Sequence, residues 1–248
     1  MTKDQQILAK VGGGSLAILL SLSLGQQASA ATLVSNLPPT TTESNGGEVS
    51  FERWVRSSFT TGSVSYGYTL NSVTLQFRQD IADANLFVRL YKDRGDTPGV
   101  LGNLITSFTN PDSISTITPS GANTTFTTTP QRLDANTAYW LVAGISSNSG
   151  GVYSWRGTDS VNQTGEPGWS IGDSDPYYAL FSGNQGGTWN PFTGAKAFQF
   201  SVNGTVNTSP PIPEPGSVVA LLGLGGLGLA SRLKKLALRF VLCNGLGL

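Results

Sequence analysis

The chain has 248 residues, with 15 basic and 15 acidic side chains, no histidine and one cysteine. A net charge of zero lacks the positive surplus that a phosphate backbone demands, so no nucleic-acid partner is expected. Without histidine there is no Ser-His-Asp triad, His-bearing zinc site or imidazole base, and a lone cysteine closes no disulfide within the chain.

Residues 1–30 read as a secretory signal. Lys3 and Lys10 supply a positive start, and Val11 to Leu24 is uncharged and largely apolar. Ala28 and Ala30 then place small side chains at −3 and −1 for cleavage before Ala31. A signal helix is expected there, with signal peptidase as the processing partner.

Residues 31–50 are polar and hold Pro38-Pro39, so a loose segment is expected, with one edge strand near Ala31 to Asn36. From 51 to 206 the pattern is that of strands. Tyr68 to Phe77 places Leu70, Val73, Leu75 and Phe77 at apolar positions, three of them alternating. Leu86 to Tyr91 and Ala138 to Ile145 are β-rich runs, and Phe198, Phe200 and Val202 alternate with polar residues. Gly, Pro, Asn and Asp clusters at 95–99, 119–123, 148–151 and 184–187 punctuate these runs. The expected fold is all-β: one antiparallel β-sandwich, jelly-roll-like, flanked by the signal helix and a C-terminal hydrophobic helix.

Residues 207–216 form a Pro-rich linker, stiffened because each proline fixes φ. Ser217 to Ala230 is uncharged and rich in Leu and Gly. A helix over it reaches only about 21 Å, against a hydrocarbon core of about 30 Å. Arg232, Lys234, Lys235 and Arg239 follow and favour a cytoplasmic end, which leaves the β domain outside. The C-terminal segment is therefore expected to hold the precursor in the membrane until processing.

Pro213-Glu214-Pro215, the short Gly-rich span and the basic cluster Arg232, Lys234, Lys235 occur in the order and spacing of the PEP-CTERM sorting signal, which residues 213–235 resemble. That resemblance implies an exosortase-type partner, cleavage near Pro213-Glu214-Pro215, and a setting in extracellular polysaccharide or biofilm. Leu236 to Leu248 departs from it as an atypical extension and carries Cys243. Within the β region, Ser58 to Gly62 with Tyr68 to Leu75, Val88 to Tyr91 with Thr97-Pro98-Gly99, and Leu133 to Leu141 resemble the choice-of-anchor surface domains, type R above all. That likeness implies surface display and transfers no catalytic residue or cofactor.

Acidic pairs at Asp80/Asp83, Asp93/Asp96 and Asp173/Asp175 lack the spacing of a calcium loop and read as turn formers. Arg94-Gly95-Asp96 reads the same way. Carboxylate pairs alone do not argue for a glycosidase, so no enzyme, metal or cofactor is expected. Aromatics crowd the late part of the domain in a Gly/Ser/Asn-rich context. Trp155, Trp169, Trp189, Tyr177 and Tyr178 are the candidate glycan-contacting rings, since indoles and phenols offer flat faces for sugar stacking. The alternative is that these rings fill the core. The overall expectation is a secreted, non-enzymatic structural or matrix component, with a glycan-binding module as the alternative and extracellular polysaccharide as the candidate partner.

Overall fold

The computed structural model describes residues 30–37, 43–117 and 121–208. The expected signal helix, C-terminal helix, linker residues past 208 and sorting tail lie outside them. Among the described residues all regular structure is β, and every strand pairing is antiparallel.

Two sheets share these strands. In the first, β1 (Ala31–Ser35), β4 (Tyr68–Ile81), β7 (Ala122–Leu133) and β15 (Phe200–Val206) run β7-β4-β15-β1. The short β10 (Thr164–Gly165) borders β1. The far end of β4, from Phe77, leaves β15 and pairs with β9 (Val152–Thr158), which also pairs with β2 (Glu43–Val49) and β14 (Ala197–Phe198). The second sheet runs β6-β5-β8-β3-β12-β13. Its strands are β6 (Leu101–Ser107), β5 (Leu86–Asp93), β8 (Ala138–Ile145), β3 (Trp54–Thr60), β12 (Leu180–Ser182) and β13 (Asn190–Pro191), with β11 (Ser170–Ile171) also on β3.

The segment expected to be loose contributes two of these strands. The edge strand near Ala31 is present as β1, but β2 reads as linker because its Gly46 and Gly47 have low strand propensity. The need for a bare backbone explains them. A Cβ on Gly47 would fall 2.7 Å from Phe198 and 3.1 Å from Val55, so the strand packs tightly on the core through its missing side chains.

The core lies between the sheets. Leu70, Val73, Leu75, Phe77, Phe198 and Phe200 from the first face Val55, Phe59, Val88, Leu90, Leu141 and Ala143 from the second, all buried in one cluster. At roughly 25 cal/mol per Å² of apolar area, rings of this size dominate what holds the layers together.

The second sheet differs from a half-solvated sheet in one respect. Strand β8 reads Ala-Tyr-Trp-Leu-Val-Ala-Gly-Ile, with no charged residue in the run. Tyr139, Leu141, Ala143 and Ile145 join the inter-sheet core, while Trp140 and Val142 belong to a separate cluster with Phe87 and Leu180. A strand apolar on both faces is one covered on both faces. Trp140 is therefore fully buried, yet not in the sandwich interior where a strand tryptophan would be expected.

Candidate functional site

The five candidate rings divide between core and surface. Trp155 is fully buried on β9, stacked on Phe198 at 5.0 Å, and its Nε1 donates to the Gln199 carbonyl at 2.8 Å. Trp169 is 5% exposed, stacked on Phe59 at 5.7 Å and edge-on to Tyr68 at 4.8 Å. For these two the core-filling reading holds and the solvent-facing one does not. Trp155 points inward from within β9, and Trp169 folds inward from the turn before β11; both fill the inter-sheet space. Trp189, Tyr177 and Tyr178 are half-buried, and all three pack on the second cluster, outside the sandwich.

That cluster forms the outer face of the second sheet. Trp54 and Arg56 come from β3, Trp140 and Val142 from β8, Phe87 and Tyr91 from β5. Trp54 meets Phe87 edge-on at 4.8 Å, and Tyr177 stacks on Trp140 at 5.8 Å.

Arg56 is the centre of the arrangement. It is 3% exposed, with its guanidinium carbon 4.0 Å from the Trp140 ring centroid and 4.4 Å from that of Trp189. Nη2 donates to the Gly99 carbonyl at 2.7 Å, whereas Nε and Nη1 find no hydrogen-bond acceptor. Burial pushes this guanidinium down to about 9, partly opposed by the charge of Asp93, so it stays cationic at neutral pH.

Asp93 is also buried, but its oxygens are committed elsewhere. Oδ1 accepts from Gly95 N at 3.0 Å, and Oδ2 accepts from Gly99 N at 2.9 Å and Trp140 Nε1 at 2.8 Å. It thereby ties the turn at 93–99 to the floor of the face, and it makes no ion pair with Arg56. The turn reading of this acidic pair is right locally. Arg94 and Asp96 pair with one another at 3.0 Å within that turn.

A second turn carries Trp189. Ser182 Oγ accepts from Gly186 N at 2.8 Å, and Asn184 Oδ1 accepts from Thr188 N at 2.8 Å. Gln185 and Gly186 both have positive φ, at 57° and 87°, a conformation that the glycine adopts without steric cost. Between the two turns opens a cleft of about 410 Å³, lined by Arg56, Gly99, Leu101, Gly186, Thr188 and Trp189 among others. A further hollow of about 500 Å³ is lined by Lys92, Asp93, Arg94, Asn136 and Tyr177. Each is large enough for one or two sugar rings, with an aromatic ring in its wall.

Sequence reasoning missed Arg56, Trp54, the outward role of Trp140 and the bond from Trp140 to Asp93. One signal was available: Arg56 sits inside the strand run Trp54-Val-Arg-Ser-Ser-Phe-Thr60, where a charge is costly unless it has a task. A third hollow, of about 330 Å³, holds Asp83, Asn110 and Asp112. Asp83 is engaged as a turn cap, accepting from Asn85 N, Gly151 N and Ser149 Oγ. Among the described residues no three His, Cys, Asp or Glu side chains gather into a metal cluster.

Of the expected processing residues, Ala30 and Ala31 are described, and β1 starts at Ala31, where cleavage would leave the new terminus. Ala28, Pro213, Glu214, Pro215, Arg232, Lys234 and Lys235 lie outside the described residues. Among the described residues no helix is long and apolar enough to cross a membrane.

Residues 211–235 match the PEP-CTERM protein-sorting motif. No curated protein matches the chain. The motif spans the Pro-Glu-Pro, the Gly-rich stretch and the basic cluster together, and it marks an exported protein sorted to the cell surface through an exosortase.

Proposed function

We propose that this exported surface protein is a non-enzymatic component of the extracellular polysaccharide matrix, and that its β domain, similar to choice-of-anchor surface domains, holds that matrix through the outer face of its second sheet. The observation that carries the reading is the pairing of a sorting motif at 211–235 with a cleft walled by Trp189 and floored by Arg56, whose guanidinium rests on Trp140. Half-buried aromatic rings on ordered turns suit sugar stacking, because little side-chain entropy remains to be lost on binding. Bond cleavage has no part in this reading: Asp93, the carboxylate beside the cleft, already accepts three hydrogen bonds and works as a structural tie. The C-terminal segment acts as a transient membrane hold that exosortase removes.

Two measurements test the reading. Intact mass of the surface protein should begin at Ala31 and end near Pro213 to Pro215, and the exosortase-deficient host should retain the tail. In the wild-type host, salt and chelator washes should leave the protein in the matrix fraction, and W189A with Y177A should release it. Retention of the double variant equal to the parent would refute the proposed face.

A further inference from the structure

Arg56 poses a problem that the rest of the fold does not solve. A guanidinium carries five N–H donors, and here only Nη2 has an acceptor, while Nε and Nη1 are sealed and unpartnered. Among the described residues the charge also lacks an ion pair, since Asp93 is occupied by Trp140 and two glycine amides. A buried cation is expensive unless paired, and the two indole faces recover only part of that cost. Arg56 also lines a cleft open to ligand, whose wall is the same Trp189 that covers the guanidinium.

We propose that the Arg56 cleft binds the carboxylate of an acidic sugar residue, so that the polysaccharide recognised by this face is a uronate-containing one; this rests on the glycan-holding role proposed above. The carboxylate displaces Trp189 and reaches the edge of the guanidinium, where the N–H of Nη2 not given to Gly99 and its neighbour, Nε or Nη1, supply the two parallel N–H bonds of a fork-to-carboxylate contact. Trp189 turns outward on its Gly186–Gly187 turn and presents its face to the pyranose ring. The hydrogen bond from Nη2 to Gly99 and the Trp140 face keep the guanidinium in plane, so the donor fork is set before the ligand arrives. The same unpaired donors would serve any carboxylate. The aromatic wall is what selects one attached to a sugar.

The test uses the full chain in mild detergent, titrated with tetrasaccharides of galacturonic, glucuronic and mannuronic acid and with their carboxyl-reduced neutral counterparts. At least one acidic tetrasaccharide should bind ten-fold or more tighter than its reduced form and should change the tryptophan emission, and W189F should abolish that emission change. R56Q should remove the acid preference, and R56K should keep charge attraction but lose most of it, because an ammonium cannot form the fork. Circular dichroism and urea midpoints report whether each variant is folded, and R56K stands in if R56Q is not. Equal binding of acidic and neutral forms, weakened alike by W189A, would overturn the carboxylate assignment and leave the glycan reading standing. No binding of any tetrasaccharide would overturn both.

Discussion

The indole of Trp140 donates from Nε1 to Asp93 Oδ2 at 2.8 Å, joining the middle of strand β8 to the last residue of β5 on the outer face of the sheet. This one bond explains how a sheet exterior can hold a fully buried tryptophan. The apolar body is covered by Arg56 and Tyr177, and the single polar atom is satisfied by a carboxylate that also closes the neighbouring turn.

Removing that carboxylate should be costly. D93A strands three donors, at Trp140, Gly95 and Gly99, and should lower unfolding free energy by about 3 kcal/mol, with D93N losing about half as much. Urea unfolding followed by tryptophan fluorescence measures both. A D93A loss under about 1 kcal/mol would contradict the tying role.

Arg56 should behave in the opposite way. R56M relieves the burial of an unpaired charge while losing one hydrogen bond and two ring contacts. These effects oppose one another, and stability should stay within about 1 kcal/mol of the parent. A loss above about 3 kcal/mol in the same urea assay would mean that the arginine is retained for the fold rather than for a ligand.

The two classes of tryptophan should separate cleanly. W155A empties a fully buried site and removes one of the two hydrogen bonds to the Gln199 carbonyl, so it should cost about 4 kcal/mol. W189A removes a half-buried ring at a cleft wall and should cost about 1 kcal/mol or less. Thermal unfolding of the two variants side by side gives the contrast.

Gly144 sits where Trp54 meets Phe87, and a Cβ there would lie 2.6 Å from each ring. G144A should therefore splay the edge-to-face pair and cost about 1–3 kcal/mol. Loss of near-ultraviolet circular dichroism with far-ultraviolet signal unchanged would place the damage in this cluster.

Acid should loosen the turn that Asp83 holds. Its carboxyl is held below the ordinary 3.8 chiefly by the hydrogen bond from Ser149, with Asn85 and Gly151 adding to it. A depressed carboxyl contributes stability that is complete above the unfolded value and is lost as pH falls through the lower native one. Amide exchange at Asn85 and Gly151 should therefore be steady from pH 7 to pH 5 and accelerate, after correction for intrinsic rates, below about pH 4. D83N should remove that step, and an unchanged acid step in D83N would assign it to another group.

Local pattern made much of the sandwich legible. The run from Ala138 to Ile145 reads as a strand because it is β-rich and carries no charge, and β8 occupies those bounds. Alternating Phe198, Phe200 and Val202 mark the strand pair that closes the first sheet, although the chain bends at Gln199 and divides it into β14 and β15. Strand β2 was illegible because its value lies in side chains it lacks. Gly47 reads as a turn residue until Phe198, far away in sequence, is seen against it.

The sequence by itself determined the destination, because sorting signals are read as linear chemistry: a Pro-Glu-Pro, an uncharged span and a basic cluster in fixed order. It also determined the β class, through alternation and turn residues that act over a few positions. Which rings face outward was decided by tertiary structure alone. Trp155, Trp169 and Trp189 sit in similar Gly-rich surroundings, and only the packing of two sheets sends the first two into the core and leaves the third over Arg56. The same holds for the cleft, which Arg56, Gly99, Leu101 and Trp189 line and which Asp93 and Trp140 support from beneath. Arg56, Asp93 and Trp140 meet on the outer face through strand register in the second sheet, where side-chain direction alternates and a shift of one residue would turn them inward, while Trp189 reaches them from the turn between β12 and β13.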